Sequence, residues 1–149
     1  RTNDLILEDA KAGMFVTIYH SHFYADGRSV HVNAGHNPPL LYRQSTRTLE
    51  YLPRGGRAVG WFPDNPLREL HIDLSPGDVI IYYTDGITEA ENPQRAAYGE
   101  ARLEKIIEAN ATSSAEDILG AIVNDVEAFC AGAPPFDDMT LVVVRYLGI

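Results

Sequence analysis

The sequence predicts an α+β domain in which antiparallel strands come first, two helices follow and one further strand comes last. In the first half of the chain, short β-branched or alternating runs are separated by hairpin turns. Apolar residues then recur at helical spacing between residues 98 and 130. A last β-branched run extends from Met139 to Tyr146. Strands and helices segregated in this way are typical of layered α+β domains.

The first half of the chain is predicted to form hairpins and loops, after a helix tail in residues 1–12. Its predicted strands are Met14 to Tyr24, residues 28–34, Leu40 to Arg43, Thr48 to Leu52 and Leu67 to Leu74. Asp26-Gly27 is a typical hairpin turn pair. Residues 35–39 and 53–66 are too rich in Pro and Gly to continue a strand. Four histidines are expected at the surface or on a sheet face: His20, His22, His31 and His71.

The central strand is predicted at Val79 to Tyr83, a β-branched and aromatic run that is typical of a fully buried strand. Tyr98 to Asn110 has the apolar spacing of a helix. Ser113-Ser114, followed by acidic residues, predicts the start of a second helix, because a hydroxyl caps the first turn and acids favour it. This helix is expected to run to about Cys130 and to be stopped by Pro134-Pro135.

The composition limits the classes of function. A length of 149 residues predicts a single domain over residues 1–149. The net charge of −9 argues against a nucleic-acid partner, because phosphate binding requires clustered Lys and Arg. We expect no membrane partner, since we find neither a long apolar stretch nor a basic-then-apolar leader. The single cysteine, Cys130, cannot form an internal disulfide and fits a reducing, cytoplasmic location.

Carboxylates flank the two strands that are predicted to be most buried. Asp85 follows the central strand, and Asp137-Asp138 precede the last one. If these strands are antiparallel neighbours, about 4.7–4.9 Å apart, the carboxylates meet at one sheet edge. If they are parallel, roughly 17–20 Å separates the groups. Grouped carboxylates repel unless one holds a proton or a cation lies between them, and oxygen ligands favour Mg²⁺ or Mn²⁺. The simpler interpretation of Asp85-Gly86 is a solvated turn.

Three motifs occur in order along the chain: Val32-Asn-Ala-Gly-His-Asn-Pro-Pro-Leu-Leu41, Leu74-Ser-Pro-Gly-Asp-Val-Ile-Ile-Tyr-Tyr-Thr-Asp-Gly-Ile-Thr-Glu-Ala90 and Phe136-Asp-Asp-Met-Thr-Leu141. Together they resemble the SpoIIE/RsbU-type bacterial branch of the PPM (PP2C-like) serine/threonine phosphatases. The resemblance extends from about Met14 to Tyr146. Each motif alone would be weak, whereas the three in this order are specific.

The resemblance implies a PP2C-like layered β-sandwich of antiparallel sheets flanked by helices. It also implies a centre of two Mn²⁺ or Mg²⁺ ions that activates water for attack on phosphoserine or phosphothreonine. By position, Asp85 and Asp137 match metal ligands of the family and are the expected catalytic residues. Asp138 stands where relatives often carry Asn, so it ranks second, as a ligand or hydrogen-bonding neighbour. Gly86 is expected to let the backbone approach the site closely.

Two residues of the first motif are expected beside the site. Asn33 is expected to pin the Gly/Pro loop that follows it, and His36 is expected to stabilise that loop by hydrogen bonding rather than act as an acid or ligand. Eukaryotic-type relatives have Gly-Asp-Ser where this chain has Gly35-His36-Asn37, which puts a third metal site in doubt. Glu89 and Glu91 are either solvated acids or neighbours of the metal ligands.

One departure from the family affects the expected activity. The family's first metal motif, an Asp-Val/Ile-Ser-Gly-His-Gly-like stretch, does not occur upstream of Met-Phe-Val-Thr here. We therefore expect the chain to be the C-terminal part of the domain, without the N-terminal metal motif. We also expect this part to be weakly active or inactive on its own. The implied substrate is a phosphorylated STAS-type anti-anti-sigma factor in a partner-switching pathway, and the implied partner in the parent chain is an upstream sensor or receiver domain. Open sheet edges also suggest a homodimer.

Two other interpretations of the sequence stay open. In the first, the same fold is a catalytically inactive binding module that holds a regulatory partner, which the missing motif would allow. In the second, the chain is an acidic structural domain with no site. The second predicts that Mn²⁺ leaves thermal stability unchanged, whereas a specific site filled to 100 times its dissociation constant would add about 2.7 kcal/mol.

Overall fold

The computed structural model describes residues 1–9, 13–133 and 137–149. Its elements, in chain order, are α1 (Thr2–Asp9), β1 (Ile18–Phe23), β2 (Arg28–Ala34), β3 (Leu40–Arg43), β4 (Thr48–Tyr51), β5 (Glu69–Asp73), β6 (Val79–Tyr83), α2 (Asp85–Thr88), α3 (Glu100–Asn110), α4 (Ala115–Cys130) and β7 (Leu141–Arg145). The predicted class, antiparallel sheets flanked by helices, is confirmed. In the described part of the chain, no helix is both long and apolar enough to cross a membrane.

The elements divide between two compact units. The first unit comprises Arg1–Pro38, Leu52–Leu74 and Ile149, and the second comprises Pro39–Tyr51 and Ser75–Gly148. The first contains an antiparallel sheet in the order β1-β2-β5. β1 is shorter than predicted, because Val16 makes only an isolated bridge with Val59 before the ladder begins.

β2 buries its polar face. Ser29, His31 and Asn33 are at most 2% exposed, whereas the valines between them are partly exposed. Buried polar groups need hydrogen-bond partners, and these have them. The Ser29 hydroxyl donates to the Ile72 carbonyl at 3.0 Å. Since that hydroxyl has one proton, it accepts the 2.8 Å bond from His31 Nε2–H.

The remaining ring nitrogen of His31, Nδ1, lies 3.0 Å from the Ser21 hydroxyl, so in a neutral ring it accepts a hydrogen bond from that hydroxyl. The hydrogen bond to Ser29 places the proton of the neutral ring on Nε2. Burial lowers the pKa of His31 from its usual 6.5 to about 4, because the charged imidazolium would lose its hydration. The ring is held on the sheet face as a neutral hydrogen-bonding group.

We expect the free energy of unfolding to fall as the pH is lowered from 6.5 towards 4, with a contribution from His31. Between those values the unfolded state binds a proton at this residue and the folded state does not, so stability rises with pH. The contribution approaches about 1.4 kcal/mol per pH unit. Urea unfolding at a series of pH values measures it. The variant His31→Gln should have a shallower dependence than the wild type, and an identical dependence would refute the assignment.

The second unit contains a four-stranded antiparallel sheet in the order β4-β3-β6-β7. One face of this sheet packs against α2, α3 and α4 in a single apolar core. The strands contribute alternate residues, as the two-residue period of a strand requires. The buried members of this core are Leu40, Tyr42, Val79, Ile81, Tyr83, Ile87, Ala90, Tyr98, Leu103, Ile107, Ala111, Ile118, Ile122 and Val126.

α4 begins where the sequence signals predicted. The Ser114 hydroxyl accepts a hydrogen bond from the Asp117 backbone N–H at 3.1 Å, which satisfies one free donor of the first turn. The acids Glu116 and Asp117 lie in that turn, where they favour the positive end of the helix dipole. The predicted stop at Pro134-Pro135 lies outside the described residues. The helix itself ends at Cys130, as expected.

Candidate metal centre

The central strand and the last strand are antiparallel neighbours. Tyr83, the last residue of β6, pairs with Leu141, the first residue of β7. Asp85 follows the end of β6 and Asp137-Asp138 precede the start of β7, so all three belong to the same edge of one sheet, within one unit. Of the two arrangements considered from the sequence, the structure has the one that brings the two acidic segments together.

Thr84 ties these two segments to each other. Its backbone N–H donates to the Thr140 carbonyl at 3.1 Å, and the Thr140 N–H donates back to the Thr84 hydroxyl at 2.9 Å. The same hydroxyl donates to the Asp138 carbonyl at 3.0 Å. These bonds hold the backbone of residue 138 beside the start of α2. Sequence reasoning assigned no role to Thr84, because the register that makes it a bridge is a property of the paired strands.

Gly86 is buried and lies directly against the acidic segment. A Cβ atom on it would stand 2.6 Å from the Asp138 carbonyl oxygen and 3.0 Å from the Asp138 carbonyl carbon. Both are backbone atoms, which cannot rotate away as a side chain could. Ile87, the next residue, is 3% exposed in the apolar core and anchors α2 there. Glycine at position 86 therefore permits the close backbone approach at this edge.

We expect Gly86→Ala to destabilise the protein by about 1–3 kcal/mol, the usual cost of overpacking. It should also weaken Mn²⁺ binding at least about tenfold, since groups that support metal ligands commonly have effects of that size. Urea unfolding and a Mn²⁺ titration measure the two effects. Gly120→Ala is the matched control, because nothing lies within 4 Å of its added Cβ and α4 should gain about 0.5–1 kcal/mol. Equal stability and equal Mn²⁺ affinity of Gly86→Ala and Gly120→Ala would contradict the role given to Gly86.

The three carboxylates are exposed, and one oxygen is already engaged. Asp137 Oδ1 accepts a hydrogen bond from the Asp138 backbone N–H at 2.7 Å. Carboxylate and carbonyl oxygens are the ligands that Mg²⁺ and Mn²⁺ prefer, so the donor chemistry fits these ions. Among the described residues, however, no group of three or more His, Cys, Asp or Glu is arranged to hold a metal ion. If these residues held a metal ion, they would supply only part of its coordination shell, and water or other donors would have to supply the rest.

A cavity of about 220 Å³ adjoins this edge of the sheet. Gly86 and Asp137 line it together with Ala90, Val126 and Met139, so it is apolar next to the carboxylates. Glu91 also lines it and forms an ion pair with Arg95 at 3.1 Å. Glu89 is exposed at the end of α2, where its backbone N–H donates to the Asp85 carbonyl. The cavity gives the candidate site an apolar wall.

Asn33 and His36 lie in the first unit, where they form a closed pair. The Asn33 side-chain amide donates to the His36 carbonyl at 3.1 Å, and the His36 N–H donates to Asn33 Oδ1 at 2.8 Å. The loop between them passes close to Ala58, whose backbone nitrogen would lie 2.5 Å from a Cβ on Gly35. Gly35 also has a φ of +75°, which favours glycine. These contacts are those of residues that fix a loop.

The comparisons with known proteins agree with the three motifs. The family profile described as "Stage II sporulation protein E (SpoIIE)" matches residues 1–147. The chain is 32% identical over 145 residues to protein IcfG of Synechocystis sp., covering 96% of this chain and 23% of that protein. It is 27% identical over 144 residues to phosphoserine phosphatase RsbU of Bacillus subtilis, covering 96% of this chain and 42% of that protein. The chain thus spans less than half the length of these relatives.

Solved structures have the same fold. The PP2C phosphatase domain of the cell fate determinant SpoIIE from Bacillus subtilis, solved with a fragment of its regulatory domain, aligns with a TM-score of 0.75 and 18% identity, over 96% of this chain and 41% of that one. The SiaA-PP2C domain of Pseudomonas aeruginosa aligns with a TM-score of 0.74 and 17% identity, over 96% and 57%. The chain has the fold of part of a PP2C phosphatase domain, and, since the family profile matches almost all of it, it belongs to the SpoIIE family.

Proposed function

We propose that this chain is part of a metal-dependent protein serine/threonine phosphatase that hydrolyses phosphoserine on a STAS-type anti-anti-sigma factor. The observation that carries the proposal is the antiparallel pairing of β6 and β7, which brings the segments that contain Asp85 and Asp137-Asp138 to the same end of the sheet. Family membership supports the reaction class, and one relative is named a phosphoserine phosphatase. The proposal also includes a cytoplasmic location, which the free Cys130 supports.

In this proposal Asp85 and Asp137 are the residues that would hold divalent cations, Mn²⁺ or Mg²⁺, two in a complete site. Such ions, when bound, supply a nucleophilic water at neutral pH and neutralise charge on phosphoryl oxygens. Asp138 acts chiefly through its backbone, since its N–H orients the Asp137 carboxylate and its carbonyl accepts from Thr84. Exposure of the carboxylates to solvent at the sheet edge leaves room for a phosphorylated side chain.

A second candidate function is a catalytically inactive PPM-fold module that binds a regulatory partner. The observation that favours it is that the described residues include no cluster of three metal-ligating side chains. Two carboxylates without further ligands bind a divalent cation weakly, because Mg²⁺ and Ca²⁺ sites use about six or more oxygen donors. The two candidates share a partner protein and differ in whether phosphate is released.

The same proposal assigns partners to the natural protein. We infer a small phosphorylated STAS-domain protein as substrate, within a partner-switching pathway, and an upstream sensor or receiver domain that controls it. A homodimer is also part of the proposal, supported by β1 and β5, which are the outer strands of the three-stranded sheet. Outer strands have unpaired backbone groups that can add a strand from another chain.

The test is phosphate release from a phosphoserine-carrying STAS-domain protein by the natural full-length protein, with Mn²⁺ and with EDTA. The phosphatase proposal predicts turnover that requires Mn²⁺ and is absent with EDTA. Stable binding of the phosphorylated partner without phosphate release would favour the binding module. RsbU serves as the positive control. If RsbU releases phosphate from the same partner while the natural full-length protein neither binds that partner nor releases phosphate from it, the proposed substrate is rejected.

A further inference from the structure

A polar cavity in the first unit contains two arginines. Its volume is about 210 Å³, and Tyr19, His31, Asn33, Arg54 and Arg68 are among the residues that line it. All of these belong to the first unit, so the cavity does not involve the carboxylates of the candidate metal centre. A single water needs only about 15 Å³ of such volume, so the cavity has room for a polyatomic ligand and water.

Arg54 and Arg68 are both exposed. Within residues 1–9, 13–133 and 137–149, neither guanidinium forms an ion pair with an acidic side chain, although the chain carries 21 acidic and only 12 basic residues. Among the described residues, the arginine side chains that do form such ion pairs are those of Arg28, Arg43, Arg95 and Arg102. Both residues line the cavity, and like charges brought close together repel each other, which an anion between them would relieve.

The floor of the cavity is polar but uncharged. Both ring nitrogens of His31 are engaged with Ser21 and Ser29, and Asn33 is engaged with His36. Glu69 is the one acid among the lining residues, and its carboxylate lies 3.5 Å from the exposed His71 ring. The residues that line the cavity therefore carry two positive charges and one negative charge, beside buried side chains that are polar but uncharged.

We propose that this cavity binds a phosphate group, held by Arg54 and Arg68. The guanidinium group presents a planar fork of N–H donors that matches phosphate oxygens, and two such groups can share one tetrahedral anion. The phosphate can belong to free inorganic phosphate or to a phosphoserine side chain, since the recognising chemistry is the same. This site shares no lining residue with the cavity beside the carboxylates, and its occupancy requires no metal ion.

The test is binding of inorganic phosphate to the chain in buffer with EDTA, where any metal-dependent binding at the carboxylate edge is removed. Calorimetry or phosphorus NMR line broadening gives the dissociation constant at fixed ionic strength. We expect saturable binding with one site, weakened at least about tenfold in Arg54→Gln and in Arg68→Gln, because each removes charged hydrogen bonds worth more than that factor. Glu69→Gln should tighten binding, because it removes the negative charge from the cavity.

Arg47→Gln, in the turn between β3 and β4, is the charge-matched control and should bind phosphate as the wild type does. A phosphoserine peptide and its unphosphorylated form distinguish the two sources of the phosphate group. A phosphopeptide that binds more tightly than inorganic phosphate, with no binding of the unphosphorylated form, would identify a phosphoprotein ligand. A phosphopeptide that binds only as tightly as inorganic phosphate would show that the site recognises the phosphate group alone. Non-saturable binding, equal loss in all three arginine variants, or preference for acetate over phosphate would overturn the proposal. Circular dichroism of each variant verifies that it is folded.

Discussion

Asp85→Asn and Asp137→Asn should each lower Mn²⁺-dependent phosphate release by the natural full-length protein at least about 100-fold. Each substitution replaces a charged oxygen with a neutral amide at the edge where β6 and β7 end and begin. Mutation of a group that only supports a metal ligand commonly lowers metal affinity or activity about 10–100-fold, so mutation of a ligand itself should lower activity by at least the upper figure. Asp138→Asn should have a smaller effect, because the structure uses this residue through its backbone N–H and carbonyl.

Asp64→Asn is the control for this series. Asp64 is exposed in a loop of the first unit, and its φ of +56° is one that asparagine adopts readily. The activity of Asp64→Asn should equal that of the wild type, and unfolding curves should show that all four variants are folded. Full turnover in both Asp85→Asn and Asp137→Asn would remove these residues from the reaction.

Asp78→Ala should be the most destabilising single substitution at a polar residue of the second unit. Asp78 is 1% exposed and accepts three hydrogen bonds at the start of β6. The donors are the Gln44 backbone N–H at 2.9 Å, the Ser75 backbone N–H at 3.0 Å and Arg43 Nη1 at 2.9 Å. This one carboxylate therefore joins the end of β3 to the turn that leads into the central strand.

Truncation of Asp78 removes the acceptor of two backbone N–H groups and of Arg43 Nη1. Breaking a buried pair from one side costs about 3–5 kcal/mol, a large part of the 5–15 kcal/mol that stabilises a typical domain. Chemical denaturation measures the change. Glu50→Gln is the control, because it removes the other acid near Arg43, at 3.3 Å, where the carboxylate is 55% exposed. Exposed pairs contribute about 0–1 kcal/mol, so a similar loss in both variants would refute this ranking.

The sequence was sufficient where the signal is local. β6 has the predicted bounds because a run of β-branched and aromatic residues lies between a Pro-Gly turn and an acid. α4 begins at its predicted cap because the Ser114 hydroxyl and the following acids satisfy the first turn within four residues. The hairpin around Asp26-Gly27 likewise depends only on neighbouring residues. In each case the stabilising partners are close in sequence.

The sequence was insufficient where the partners are distant. The sequence predicts at most a turn at Asp85-Gly86, whereas the structure has the short helix α2, whose position depends on Ile87 entering the core and on Gly86 lying against residue 138. His31 was expected at the surface or on a sheet face. It lies on the face but is buried, since hydroxyls from β1 and from its own strand satisfy it. The pairing of β6 with β7 was one of two open arrangements until the register was known.

Titration of Mn²⁺ into the natural full-length protein, followed by the electron paramagnetic resonance signal of the free ion, tests most directly whether Asp85 and Asp137 share a cation. The wild type should remove Mn²⁺ from solution saturably, Asp64→Asn should match it, and Asp85→Asn and Asp137→Asn should each bind at least about tenfold more weakly. Identical titrations for all four proteins would contradict the account, and so would a wild type that binds no Mn²⁺.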